Sequence, residues 1–266
     1  MPMKSPIALI GGEEFADGFE DVHASLLELA RRGRERQGRE NGRPVRVVFL
    51  PTCAADDGPE TVSYWCDEAQ RRLGALGAQV LSARIVDRES ADDPKNARSI
   101  AEADWIYIGG GYPHIGMRIL SGTRAQQALD AACQRGALIS GASAGAMMLG
   151  ARSWVITPDM EAAITEMFSE GTGLSDWSLP LPPPLDCLGF VPKSMCWPHA
   201  NQLFSIRWIQ DGLLPAGHFV IGIDEQTALV NTGSDGWEVQ GRGKVTLVND
   251  HYQVTELPAG SRIERL

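Results

Sequence analysis

Ala137-Leu138-Ile139-Ser140-Gly141-Ala142-Ser143-Ala144-Gly145-Ala146-Met147-Met148-Leu149 is the stretch whose reading decides the fold. An apolar run (Ala137-Leu138-Ile139) enters Gly141-Ala142-Ser143-Ala144-Gly145, and a helix-like run (Ala146-Met147-Met148-Leu149) leaves it. A strand, a serine and a helix in that order are what a nucleophile elbow requires. The serine sits on a tight turn that projects its hydroxyl, and the flanking glycines let the strand and helix backbones pass closely. The pentapeptide alone does not suffice. In a chain of this glycine and serine content it arises by chance about once in five sequences, as an ordinary glycine-rich turn. The rest of the chain has to decide.

Outward from the elbow, the first 150 residues alternate strand and helix signals. Strands are predicted at Ile7–Ile10, residues 45–50, residues 80–86, Trp105–Ile108 and residues 137–140. Helices are predicted at residues 19–36, 60–76, 95–101 and 123–135. Such alternation builds βαβ units around a mostly parallel sheet flanked by helices, an α/β fold. Ligands of such sheets sit beyond the carboxyl ends of the strands. Three predicted strands end in glycine there: Ile10 runs into Gly11-Gly12, Ile108 into Gly109-Gly110-Gly111, and Ile139 into the elbow. Glycine permits positive φ or close backbone approach.

The second half reads differently. Residues 169–192 hold Pro180, Pro182, Pro183, Pro184 and Pro192 with Trp177, and are expected to form a long functional loop. Residues 219–257 read as strand–turn–strand, with Gly241-Arg242-Gly243-Lys244 as a hairpin turn, and suggest C-terminal antiparallel hairpins closing one edge. No internal repeat or linker divides the chain, so 1–266 is expected to be a single α/β hydrolytic domain.

Bulk properties narrow the function classes. Twenty-four basic against 34 acidic residues give a formal net charge of −10. That argues against nucleic acid or an anionic membrane as partner. The only apolar run near the start, Ile7-Ala8-Leu9-Ile10, is too short for a signal-peptide core. Five scattered cysteines form no CxxC pair, so reduced thiols in a cytoplasmic protein are expected, with no metal and no cofactor. A homodimer is left open.

A serine nucleophile needs a base and a group that orients it. Of five histidines, His23 is expected on a helix surface, and His218 and His251 lie among turn residues. His114 follows the triple glycine, where with Gly111 it is placed to contact substrate. His199, in Cys196-Trp197-Pro198-His199-Ala200-Asn201, lies past a hydrophobic stretch and is favoured as base. Asp159, Glu161 and Glu166 lie between Ser143 and His199 as candidate acids, each equally readable as a solvated surface carboxylate. The N–H of Ala144 and one from Gly109–Gly111 suit an oxyanion hole.

Ile108-Gly109-Gly110-Gly111, Gly141-Ala142-Ser143-Ala144-Gly145-Ala146, Thr157-Pro158-Asp159-Met160 and Trp197-Pro198-His199 together resemble the aspartyl dipeptidase and cyanophycinase family of serine peptidases. Ile221-Gly222-Ile223-Asp224-Glu225-Gln226-Thr227-Ala228-Leu229 is similar to the cyanophycinase branch in particular, as are Leu9-Ile10-Gly11-Gly12 and Phe49-Leu50-Pro51-Thr52. The resemblance implies a class I glutamine amidotransferase-like fold with serine in place of cysteine. It implies Ser143 as nucleophile, His199 as base, and Asp159 as acid with Glu161 and Glu166 as alternatives. It also implies Gly110 and Ala144 as the oxyanion hole and Arg207 near an acidic substrate group. The segment Ala200-Asn201-Gln202-Leu203-Phe204-Ser205 departs from both branches and leaves the substrate open. The expected activity is hydrolysis of a short peptide or peptide-like amide through an acyl-enzyme. The alternatives are an α/β-hydrolase-type esterase and a non-catalytic ligand-binding member of the same fold.

Overall fold

The computed structural model describes residues 5–39, 42–155, 160, 162, 182–206, 209–210, 214–232 and 236–266. Among these the strands form two sheets, one of eight and one of six. Five strands of the larger sheet are parallel: β1 (Ile7–Ile10), β2 (Arg46–Leu50), β3 (Gln79–Ser82), β4 (Trp105–Ile108) and β5 (Leu138–Ala142), in the order β1-β5-β4-β2-β3. The intervening helices are α1 (Glu20–Arg36), α2 (Pro59–Ala75), α3 (Arg88–Asp92), α4 (Pro94–Glu102), α5 (Pro113–Leu120) and α6 (Arg124–Arg135). This is the α/β arrangement expected from the alternation. Local chemistry sets the helix ends: Pro59 opens α2 after Gly58, and Gly136, left-handed at φ 95, closes α6.

β1, β2, β4 and β5 are buried on both faces, the edge strand β3 is partly exposed, and period 2 divides the side chains. Ile7, Leu9, Val48, Leu50, Ile106 and Ile108 face one core; Ala8, Ile10, Val47, Phe49, Trp105 and Tyr107 face the other, with α1 and α2. His23 of α1 is buried in that second core, 2% exposed, against Phe15, Phe19 and Tyr107, and not on the surface as its helical position suggests. The rings of Phe15, Phe19, Trp105 and Tyr107 pack against this imidazole and shield it from solvent.

After the elbow the chain forms α7 (Ala144–Leu149) and enters the smaller sheet through β6 (Gly150–Ser153), β7 (Leu185–Asp186) and β8 (Val191–Trp197). A short helix, α8 (Ala200–Leu203), follows. The C-terminal region alternates between the sheets. β9 (Phe219–Ile223), β12 (Lys244–Val248) and β13 (Val254–Pro258) join the smaller sheet, whereas β10 (Thr227–Asn231), β11 (Trp237–Gly241) and β14 (Arg262–Ile263) close the β1 edge of the larger one antiparallel. The expected hairpins therefore serve two sheets rather than one edge. Gly241-Arg242-Gly243-Lys244 is a crossing between sheets, not a hairpin turn, because β11 and β12 pair with different partners. Of the proline-rich stretch 169–192, residues 182–192 are described; they carry β7 and the start of β8, and the remainder lies outside the described residues.

The two sheets share a core. Cys196, Ile221 and Ile223 of the smaller sheet pack with Leu9, Ile108 and Ile139 of the larger. No helix among the described residues is long and apolar enough to cross a membrane.

Candidate active site

Ser143 stands between β5 and α7 at φ 50, ψ −118, a conformation that costs a non-glycine residue of order 1–3 kcal/mol. Neighbouring backbone holds it there: its N–H donates to the Ile10 carbonyl at 3.0 Å, and its carbonyl accepts from Met147 N–H at 3.1 Å. The flanking glycines are sterically required. A Cβ on Gly141 would lie 2.3 Å from the Gly145 carbonyl, and one on Gly145 would lie 2.2 Å from the Ile108 oxygen. The strand and helix thus cross at backbone contact, as the elbow reading anticipates.

His199 comes from the smaller sheet. β8 and β9 run parallel with Trp197 opposite Gly222, so the residues just past both carboxyl ends adjoin. His199 is two beyond Trp197, and Glu225 is two beyond Ile223. The Ser143 Oγ lies 2.9 Å from His199 Nε2, and His199 Nδ1 lies 3.0 Å from Glu225 Oε1. With the proton on Nδ1, the imidazole donates to Glu225 and accepts from the serine hydroxyl. Gln202 donates to the other Glu225 oxygen, Oε2, and Asn201 Oδ1 accepts from the Glu225 N–H at 3.0 Å. The segment after His199 thereby fixes the carboxylate.

Gly11-Gly12 joins these parts. The Gly11 carbonyl accepts from His199 N–H at 3.0 Å, and the Gly12 carbonyl from Gln226 N–H at 2.9 Å. A Cβ on Gly12, at φ 147, would lie 2.3 Å from His199 Cε1. The pair is a cradle for the imidazole.

Glu225 was not among the candidate acids, which were sought between the serine and His199. One signal was available: an acidic pair, Asp224-Glu225, directly after the apolar strand Phe219–Ile223. The two acids diverge. Asp224 accepts from Lys244 N–H at 2.9 Å and anchors the sheet crossing, while Glu225 meets the imidazole. Asp159, Glu161, Glu166 and Arg207 lie outside the described residues.

Two candidate oxyanion donors lie near Ser143. Ala144 opens α7, where backbone N–H groups have no partner within the helix. Gly110 follows β4, and a Cβ built on it would lie 3.4 Å from Ser143 Cβ and 3.8 Å from its Oγ. Gly111, at φ 125, presses on the Cys53 carbonyl. His114 sits half-buried in the first turn of α5 beside Tyr112, where burial lowers its pKa.

Ser143 and His199 open into a cavity of about 640 Å³ that Gly110 and Gly111 also line, and His114 does not. The rest of its lining is charged and aromatic: Glu13, Glu14, Asp57, Glu68, Arg71 and Arg72, with Phe15, Tyr64 and Trp65. Desolvation pushes the buried Glu14 carboxyl up to about 7. No cluster of metal-ligating side chains occurs among the described residues. The arrangement provides a strained hydroxyl, an oriented imidazole, two candidate oxyanion donors and room for a short chain, the parts that acyl transfer needs.

The model of peptidase family S51 matches residues 34–238. Among solved structures, the chain is similar to a peptidase from an acI-B1 Actinobacterium, with 27% identity and a TM-score of 0.77 over 99% of this chain and 98% of that one. A putative peptidase E protein from Listeria monocytogenes EGD-e shares the fold at 18% identity and a TM-score of 0.53, over 96% of this chain and 99% of that one. No curated protein matches.

Proposed function

Because the chain belongs to peptidase family S51, we propose that it hydrolyses an amide bond of a short peptide or peptide-like substrate, with Ser143 as nucleophile, His199 as base and Glu225 as the acid that orients it. The observation that carries this reading is the 2.9 Å contact between Ser143 Oγ and His199 Nε2 on a strained elbow.

In the proposed sequence Ser143 Oγ attacks the scissile carbonyl carbon while His199 Nε2 takes its proton. Negative charge moves to the carbonyl oxygen, opposite the N–H groups of Ala144 and Gly110. The intermediate collapses, His199 returns the proton to the departing amine, and an acyl-enzyme remains. Water, deprotonated by the same imidazole, attacks the ester carbonyl carbon; the bond to Ser143 Oγ breaks, His199 returns the proton to that oxygen, and the acid is released. Glu225 stays ionised and holds the imidazole in the required tautomer.

We read 1–266 as one hydrolytic unit, since the serine is drawn from one sheet and His199 and Glu225 from the other. We place the chain with the cyanophycinase branch on residues 221–229, which contain Glu225, and in the cytoplasm on its scattered free thiols. The family match sets aside the α/β-hydrolase esterase, a fold that continues with further βα units where this chain crosses to a second sheet.

The test is amine release from a library of short peptides, β-aspartyl and N-terminal aspartyl amides included, by wild type and Ser143→Ala. Turnover by wild type alone is expected. Equal turnover by both removes the reading.

A further inference from the structure

The rest of the cavity lining beside the catalytic pair carries information on the substrate. α2 presents two consecutive aromatic residues there. Tyr64 is 57% exposed, and its ring meets that of Trp65 edge-on at 5.1 Å between centroids. Trp65 is half-buried and packs against the core beneath, with Phe15 at 6.3 Å. Tyr64 therefore rests on an anchored platform, and both rings line the same cavity as Ser143 and His199. Large exposed aromatic rings on a cavity wall are a contact surface at low conformational cost.

The charges nearby do not suit an acidic side chain. Arg71 is held by both oxygens of Glu68, at 2.9 and 2.5 Å. Arg72 pairs with Asp17 at 2.8 Å and Glu20 at 2.9 Å. Both guanidinium groups already face carboxylates, while Glu13 and Asp57 add two further acids to the wall. A substrate carboxylate would compete with Glu68, Asp17 and Glu20 for these guanidinium groups, against repulsion from the remaining acids.

We infer that the Tyr64–Trp65 wall takes an aromatic side chain of the substrate, adjoining the scissile bond, in preference to an acidic one. The inference rests on the peptidase reading for its chemistry, and it names the side-chain class which that reading leaves open. A flat ring stacks or packs edge-on against Tyr64.

The experiment uses tripeptides carrying Phe, Ala or Asp at one position of an otherwise all-alanine chain. Wild type is expected to show kcat/KM in the order Phe, Ala, Asp, with Phe over Asp by about tenfold or more. Tyr64→Ala should bring the Phe-to-Ala ratio close to one, and Tyr64→Phe should keep it. Tyr252→Ala, exposed and outside the cavity, should leave the ratio unaltered. Preference for Asp, or a ratio indifferent to Tyr64→Ala, overturns the inference. Calorimetric binding of the same peptides to Ser143→Ala separates the two readings. Binding of the Phe peptide that weakens on adding Tyr64→Ala, without wild-type turnover, removes the peptidase reading and keeps this one. Turnover without aromatic preference does the reverse, and equal or absent binding of the Phe and Asp peptides also overturns the inference.

Discussion

His199 Nδ1 lies 3.0 Å from Glu225 Oε1, across 26 residues of chain and one strand register. The contact follows from parallel pairing of β8 and β9, which ends both strands at the same level. An imidazole held this way presents Nε2 to Ser143 without a search over rotamers.

Glu225→Gln is expected to lower kcat by about 10²- to 10⁴-fold, because an amide can stabilise neither the tautomer nor the imidazolium. Asp159→Asn is expected to stay within about threefold of wild type. Steady-state kinetics on one substrate compares them, and the reverse order would move the orienting acid to residue 159.

Gly12→Ala tests the cradle. A methyl group there meets the imidazole at 2.3 Å and forces a left-handed φ on alanine. Activity should fall by about 100-fold or more, since misplacement of about 1 Å is enough for that. Circular dichroism should show the fold retained. Unchanged kcat/KM would show that the histidine does not depend on this contact.

Two buried groups give stability opposite pH dependences. Glu14 is pushed up to about 7 from an ordinary 4.5 by desolvation. Between those values the folded chain keeps a proton that the unfolded chain has lost. Its contribution is fully present below about pH 4.5 and is lost as pH rises through 7, a change of ~3 kcal/mol. His23 is held down to about 4 from 6.5 by burial, so its contribution is present above about pH 6.5 and is lost as pH falls through 4. In urea unfolding at about pH 5 and pH 8, Glu14→Gln should lose the alkaline fall in stability, so that its stability at pH 8 relative to pH 5 rises above that of wild type. His23→Phe should instead gain stability on the acid side. Curves parallel to wild type in both variants would contradict these assignments.

Asp104 stands at the opposite end of β4 from the site. Its carboxylate, fully buried, receives Arg43 at 2.8 Å, Arg39 at 3.1 Å and the buried Arg34 at 3.5 Å. Asp104→Ala strands Arg34, 2% exposed, without its counter-charge and should cost about 3–5 kcal/mol in chemical denaturation. Per folded molecule, kcat should be retained. A loss below about 1 kcal/mol would show that solvent replaces the carboxylate.

Sequence reasoning succeeded where the determinants are local. β1, β4 and β5 are short apolar runs stopped by glycine, and the elbow's glycine spacing, Gly141 against Gly145, is written within five residues. Its limit lay in long-range pairing. Whether Phe219–Ile223 joins the sheet of β1 or a second sheet depends on β8, which in the sequence reads only as a hydrophobic stretch after a proline-rich segment. Without that second sheet nothing links Glu225 to His199, so the sequence alone does not single Glu225 out, while Asp159, Glu161 and Glu166 lie outside the described residues. His23 failed for a similar reason: its burial comes from Tyr107 and Phe15, distant in sequence, and not from the polarity of its own helix.

The central claim is that Ser143 is a nucleophile activated by His199. Intact-mass and peptide mapping after treatment with a fluorophosphonate tests it most directly. One adduct per chain, located on Ser143, absent in Ser143→Ala and formed about 100-fold more slowly in His199→Ala, is the predicted result. Folded protein that acquires no adduct while Ser143→Ala keeps full peptidase activity would contradict it.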